Sequence, residues 1–211
     1  MKKQAIFILA VSLVVVALSP IGAEDKVSKP RSDEVVIVAR LVVTPAINRD
    51  FYSHYVSFDV PGFEAKPNRS WKGKLPDDLV YLQTKEPGEN IARSKCYLLG
   101  AVGDIGFAKV SIPTNREIEV VGGVVNMVDN DFLFFDLPIL RKIVVPAGVN
   151  YIYLGTFTYT MKDEFFNISE ISNSDEFDAA VVMVKKTFGD GANLVRVNLL
   201  DLSKEKEKLE K

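Results

Sequence analysis

An alternating segment in the second half of the chain limits the fold most strongly. From Asn150 to Lys162 the odd positions carry four aromatic residues, a glycine and a methionine, whereas the even positions carry Ile, Leu and three threonines. Successive side chains of a strand point to opposite faces, so this period of two places the aromatics on one face and the threonines on the other. Aromatic residues and threonine also favour strands. The segment therefore predicts a central strand that needs partners elsewhere in the chain.

Other segments repeat this strand-like character. They cover residues 34–44, 51–60, 79–84, 95–100, 106–112, 117–128, 132–139, 142–145 and 194–202. The run Val35–Ala39 is apolar at every position, which predicts a strand covered on both faces. Gly122-Gly123 predicts a bulge or bend, and the glycine in Ala101–Ile105 predicts a hairpin turn between its two flanking strands.

The last part of the domain has a helical pattern. Ser174 is a candidate helix cap ahead of Asp175 and Glu176, and apolar residues then recur at helical spacing until Gly189. About nine strands and one convincing helix predict a mainly β fold, an antiparallel β-sandwich or open barrel. The helix and the last strand would form an appendage over 163–202.

The first residues predict export. Met1–Lys3 is basic, Ala5 to Leu18 is apolar except for one serine, and Ser19–Ala23 adds a helix breaker and small residues before a charged segment. This is the layout of a secretory signal peptide, with an apolar run too short to span a bilayer. An uncleaved N-terminal anchor is the alternative. The expected organisation is a signal peptide over 1–23, a linker over 24–33, one β domain over 34–202 and a charged tail over 203–211.

Charge and cysteine content narrow the functional classes. The chain has 26 Lys and Arg against 28 Asp and Glu and lacks a basic stripe, so we expect no nucleic-acid partner. Cys96 is the single cysteine, which precludes an internal disulfide; we expect it to be a small buried residue of its strand. An exported domain without disulfides indicates the periplasm or the cell surface of a bacterium.

Patterns for catalysis and metal binding are weak. One histidine and one cysteine cannot supply the four ligands of a structural zinc site. His54 follows Ser53, but adjacent side chains on a strand point to opposite faces. Asp129–Asp131 lacks the glycine and glutamate of a calcium loop, and the acidic pairs 163–164 and 175–176 suit turn and capping roles. The sequence therefore predicts no cofactor, no metal site and no enzymatic activity.

Two features predict ligand binding. Trp71, the only tryptophan, lies in a loop-like segment among cations. The neighbouring cations of the candidate site are Arg69, Lys72 and Lys74. An exposed indole beside cations suits sugar rings or anionic lipid headgroups, whereas an indole folded inward would only pin the loop. Tyr151 and Tyr153 of the alternating strand are the second feature: on an outer face they would stack on glycans, and in a central strand they would be core.

The passage from Lys142 to Tyr159 carries a family resemblance. Its Pro146-Ala147-Gly148 turn leads into a tyrosine-rich strand. This arrangement resembles a pattern in uncharacterised bacterial exported proteins with a transthyretin-like β-sandwich. The resemblance implies a sandwich fold and brings no catalytic residues with it.

These observations predict an exported, non-catalytic, envelope-associated binding or structural module. Its partner would be an envelope glycan, a lipid or a protein, and no transmembrane span would remain after removal of the signal peptide. A carrier of a small apolar ligand in a β-barrel is the first alternative, and a cell-wall-acting hydrolase is the second.

Overall fold

Two facing β-sheets and one helix make up the part of the chain that the structure, a computed structural model, describes: residues 28–47, 79–126, 134–162 and 167–202. The elements are β1 (Glu34–Thr44), β2 (Leu79–Lys85), a 3-10 turn (Ile91–Arg93), β3 (Lys95–Ala101), β4 (Ile105–Ser111), β5 (Glu117–Asn126), β6 (Phe134–Val144), β7 (Tyr151–Met161), β8 (Ile168–Ser174), α1 (Phe177–Phe188), β9 (Val195–Arg196) and β10 (Leu199–Asp201). The prediction of a mainly β sandwich with one C-terminal helix is confirmed.

The two sheets differ in strand direction. The first sheet has the order β4-β1-β7-β8, with β9 also paired to β7, and the second has the order β10-β6-β5-β2-β3. All pairs are antiparallel except β1–β7 and β7–β9, which are parallel. The sandwich is therefore antiparallel, as predicted, except at these two pairs in the first sheet. Between β1 and β7 the chain builds most of the second sheet, and such a long connection permits a parallel pair.

β1 is covered on both faces, as its unbroken apolar run predicts. Val35 and Ile37 belong to the main core between the two sheets, whereas Val36 and Val38 belong to a second apolar cluster beneath α1. All four side chains have no exposed surface. The helix therefore forms a third layer on the outer face of the first sheet.

A β-bulge in β7 corrects the prediction that its aromatics share one face. Val38 pairs with Tyr153 and Ala39 with Gly155, so Leu154 is an extra residue in the strand. Gly155 has a φ of 122°, which glycine adopts without strain. Before the bulge Tyr151 and Tyr153 face the helix. After it Phe157 and Tyr159 face the main core, and the threonines take the helix side.

Two predicted connections also differ from the structure. Ala101–Ile105 does not close a hairpin, because β3 pairs with β2 in the second sheet and β4 pairs with β1 in the first. The segment predicted as one strand over 194–202 is divided between β9, which pairs with β7, and β10, which pairs with β6. Local sequence predicts extended backbone in both places, but sheet membership depends on distant partners.

Three further expectations have clear outcomes. The strands predicted over 132–139 and 142–145 are one strand, β6, in which Leu140 has a φ of 51°. Ser174 ends β8 and does not cap the helix; Asp175 accepts a hydrogen bond from the Phe177 N–H instead, at 3.0 Å. The bulge expected at Gly122-Gly123 is confirmed, with a register shift between Val120 and Gly122.

Several predictions lie outside the described residues. They are the signal peptide over 1–23, the strand over 51–60 with His54, the turn Asp129–Asp131 and the tail over 203–211.

Candidate functional site

The six residues predicted to bind a ligand divide into two groups. Trp71, Arg69, Lys72 and Lys74 lie outside the described residues. Tyr151 and Tyr153 are buried on β7, with 9% and 7% of their surface exposed. Tyr151 lies against Phe188 and Tyr153 against Phe177, both of α1, with ring centroids 5.1 and 5.5 Å apart. The helix therefore covers the face on which a glycan would have to stack.

A polar cluster, here called the Glu176 cluster, joins the start of α1 to the first sheet. Both oxygens of the Glu176 carboxylate accept hydrogen bonds from Nη1 of Arg40, at 3.0 and 2.9 Å, and Oε2 also accepts one from the Thr156 hydroxyl at 3.2 Å. The Glu176 N–H donates to the Tyr153 hydroxyl at 2.7 Å, and Nε of Arg40 donates to the Gly103 carbonyl at 2.6 Å. The hydrogen bond from Arg40 lowers the pKa of Glu176.

The bulge in β7 makes this cluster possible. Tyr153 and Thr156 are three positions apart, and in a regular strand they would point to opposite faces. The extra residue Leu154 reverses the alternation, so both side chains meet Glu176 on the helix side. Thr156 is only 3% exposed, and its hydroxyl is satisfied. The cluster thus fastens the helix to the sheet.

A second set of contacts continues along the helix start. Nη2 of Arg196 on β9 donates to the Asp175 carboxylate at 2.7 Å, and its guanidinium carbon lies 3.8 Å from the ring centroid of Phe177. The hydrogen bond from Arg196 lowers the pKa of Asp175. These groups satisfy one another, so they too are explained by helix docking.

The opposite end of the sandwich contains an open pocket of about 110 Å³, here called the end pocket. It lies where the last residues of β2 and β4 meet the first residues of β3 and β5, under the β2–β3 connection. Its lining residues are Thr84, Lys85, Glu86, Glu89, Arg93, Lys95, Tyr97, Val110, Ser111, Ile112, Pro113 and Ile118. Because β4 extends from Ile105 near Arg40 to Ser111 at the pocket, the two polar regions are about 20 Å apart.

The floor of the end pocket is buried and its rim is charged. Val110 and Ile118 are each 2% exposed and belong to the main core, and Thr84 beside them is 4% exposed. At the rim Lys85 is paired with the Glu119 carboxylate on the neighbouring strand. Arg93 and Lys95 have no carboxylate partner among the described residues. The rim therefore presents two cations that no described carboxylate neutralises.

Thr84 is the second buried polar residue of the described chain besides Thr156. Its side chain lines the pocket, and its hydroxyl has no hydrogen-bond partner among the described residues. Buried polar groups are bonded in the large majority of cases, and an unbonded one indicates a missing water, ion or ligand. The sequence pattern places Thr84 at a strand end but does not mark it as a binding residue, because only the assembled sheets bring four strand ends together.

Cys96 is exposed, which corrects the expectation that it is buried. Its neighbour Tyr97 packs against the main core, so Cys96 points to the other face of the second sheet, opposite Gln83 on β2. The surrounding sheet removes part of its solvent and raises the pKa of the thiol, and the Asp136 carboxylate adds to this effect. The thiol is therefore accessible but is not activated.

Within the described ranges, no group of three or more His, Cys, Asp or Glu residues could hold a metal ion, and no helix is both long and apolar enough to cross a membrane. No protein-family model matches the chain, and no curated protein matches it. The transthyretin-like resemblance stays a prediction.

Proposed function

We propose that the protein is an exported, envelope-associated binding module without catalytic activity, and that the end pocket is its binding site. The observation that carries this proposal is the Thr84 hydroxyl at the bottom of the pocket, which no described residue bonds, below a rim whose cations Arg93 and Lys95 have no described carboxylate partner. A buried hydroxyl without a partner costs stability, and cations at the rim of the same pocket attract an anionic group, so their presence together favours a role in binding.

The pattern at the N-terminus supports the exported part of the proposal. A basic start, a short apolar run and Ala23 before a charged segment are typical of a cleaved signal peptide. Expression in a bacterial host with a C-terminal tag tests it. We expect the tagged protein in the periplasmic or surface fraction, with a mass that corresponds to loss of about the first 23 residues. A cytoplasmic product of full mass would contradict export.

The partner class can be tested with the single tryptophan. Trp71 fluorescence, with acrylamide quenching, is measured on the purified protein alone, with anionic vesicles and with cell-wall fragments. If the Trp71 segment contributes to binding, one additive should shift the emission and protect the indole from quenching. An emission that both additives leave unchanged would show that the Trp71 segment takes no part in binding, and Trp71→Phe supplies the blank.

The non-catalytic part of the proposal has its own test. Purified protein is incubated with cell-wall glycans and with ester substrates, and products are followed by mass spectrometry. We expect no turnover. Hydrolysis that disappears when one acidic residue is replaced would show that the protein is an enzyme.

A further inference from the structure

We propose that the end pocket binds a small monocarboxylate that carries a short apolar tail. This inference rests on the proposed function, because it takes the end pocket to be the binding site. It adds the chemical class of the ligand, which follows from the size of the pocket, its floor and its rim.

The size of the pocket limits the ligand to a few heavy atoms. The pocket volume of about 110 Å³ is close to that of an apolar cavity of about 150 Å³ that binds one benzene molecule. Pockets for drug-sized ligands are roughly 300–1,000 Å³. The end pocket therefore fits a branched acid of about five carbons, or the last residue of a peptide.

The floor selects an apolar tail. Val110 and Ile118 are part of the main core, and Ile112 and Pro113 continue this apolar wall toward the rim. A tail that covers these side chains removes apolar surface from water, which is favourable at roughly 25 cal/mol for each Å². A purely polar ligand such as phosphate would leave this surface without a partner.

The rim selects a single negative charge. No described carboxylate pairs with Arg93 or Lys95, so both can bind a carboxylate of a ligand, and an arginine can do so through two parallel hydrogen bonds. Glu86 and Glu89 lie at the same rim, and the Glu89 carboxylate accepts a hydrogen bond from the Glu86 N–H at 3.1 Å. Their negative charges oppose a doubly charged anion, so a monocarboxylate fits better than phosphate.

Thr84 lies at the pocket floor and supplies a hydrogen bond that no described residue takes up. Its hydroxyl can donate to a carboxylate oxygen, and such a bond to a charged group is stronger than one between neutral groups. Binding would therefore give the buried hydroxyl its missing partner.

A titration of the purified protein with three small probes tests this assignment, with amide NMR and calorimetry as readouts. The probes are isovalerate, isopentylamine and inorganic phosphate. We expect isovalerate to shift the amide signals of the residues that line the pocket, and to bind at least about tenfold more tightly than the other two. No binding of isovalerate, or equal binding of isopentylamine or phosphate, would overturn the proposal.

Substitutions locate the binding and separate it from loss of fold. Thr84→Val keeps the side-chain shape and should weaken isovalerate binding about fivefold to tenfold, as expected for one lost hydrogen bond. The double substitution Arg93→Gln with Lys95→Gln should weaken it by at least about tenfold. Lys185→Gln with Lys186→Gln, on exposed helix surface, is the control matched in charge and should leave the affinity unchanged. Full affinity in either pocket variant would overturn the proposal.

An acetylated tripeptide that ends in valine distinguishes the two sources of this chemistry. Tighter binding than isovalerate would identify a peptide C-terminus, and weaker binding would identify a free acid. Both the probe and the variant titrations use purified protein and do not depend on location. If the protein is not exported, the titration results therefore remain valid. If isovalerate does not bind, the test of export is unaffected.

Discussion

The Glu176 cluster and the end pocket contain the same kinds of side chain in opposite states. The cluster joins Arg40, Glu176, Thr156 and Tyr153 through hydrogen bonds of 2.7–3.2 Å. The pocket also has an arginine, two glutamates, a threonine and a tyrosine, yet its arginine lacks a carboxylate partner and its threonine hydroxyl lacks a hydrogen bond among the described residues.

The contrast assigns different roles to the two regions. Pairing reduces the free-energy cost of burying polar groups and so serves the fold, whereas unpaired groups at a pocket keep their hydrogen-bonding capacity for a ligand. The two threonines allow the most direct comparison of the two regions, because they are almost equally buried, with 3% of Thr156 and 4% of Thr84 exposed. Three comparisons of variants and one pH titration test this difference between the two regions.

The largest effect is expected from Glu176→Ala. This substitution removes the hydrogen bonds that Arg40 donates to the two carboxylate oxygens of Glu176. It also leaves the buried Thr156 hydroxyl without an acceptor. We expect the free energy of unfolding to fall by about 2 kcal/mol in urea denaturation. Glu170→Ala on exposed β8 is the control and should change it by less than about 0.5 kcal/mol. Equal effects of the two substitutions would contradict the conclusion that the cluster fastens the helix to the sheet.

The two threonine-to-valine substitutions should have different signs. Thr156→Val deletes a hydrogen bond to a carboxylate and should lower the free energy of unfolding by about 1 kcal/mol. Thr84→Val deletes a buried hydroxyl that no described residue bonds, so without ligand it should leave stability unchanged or raise it by up to about 1 kcal/mol. Thermal and urea unfolding of both variants measure the difference. Similar losses at the two sites would contradict the contrast.

Acid should weaken the Glu176 cluster. Its hydrogen bond from Arg40 lowers the pKa of Glu176 in the folded protein. The stabilisation is therefore present above the ordinary glutamate pKa of about 4.3 and is lost as the pH falls through the lower folded value. Glu176 and Arg40 are each about one third exposed, so we expect less than about 1 kcal/mol. The measurement is the stability of the unaltered protein minus that of Glu176→Gln between about pH 6 and pH 3. A constant difference would contradict it.

The smallest effect is expected from Arg93→Gln. Because no described carboxylate pairs with Arg93, its removal should change the free energy of unfolding by less than about 0.5 kcal/mol. Arg40→Gln is the matched change in the Glu176 cluster and should cost clearly more, since it removes the partner of Glu176 and the bond to the Gly103 carbonyl. Parallel denaturation curves compare the two, and an equally large loss for Arg93→Gln would show that this arginine has a structural role.

Local pattern predicted most strands because their burial is regular. β1 begins and ends where its apolar run predicts, and β7 differs from its prediction by one residue at each end. β8 was not predicted, because Ile168–Ser174 is mostly polar and exposed and depends on its hydrogen bonds to β7. An edge strand of this kind has no apolar periodicity to detect.

The candidate site was much less predictable than the strands. The alternation predicted that Tyr151 and Tyr153 lie on one face of a strand. It could not predict their burial under α1, since the docking of the helix is a long-range contact. The end pocket combines Thr84 at the end of β2, Arg93 in the following connection and Lys95 at the start of β3. These residues line a pocket only because β4 and β5 lie beside them. No spacing in the sequence marks such a meeting point.

The local order of residues was enough to predict the mainly β class, most strand positions, the C-terminal helix and the burial of β1 on both faces, because each of these depends on neighbouring residues. The tertiary structure decided the parallel β1–β7 pair, the bulge at Leu154, the division of β9 and β10 between the sheets, and which threonine has a partner. These features depend on contacts between residues far apart in the chain, and a local pattern carries no information about which distant group will be its neighbour.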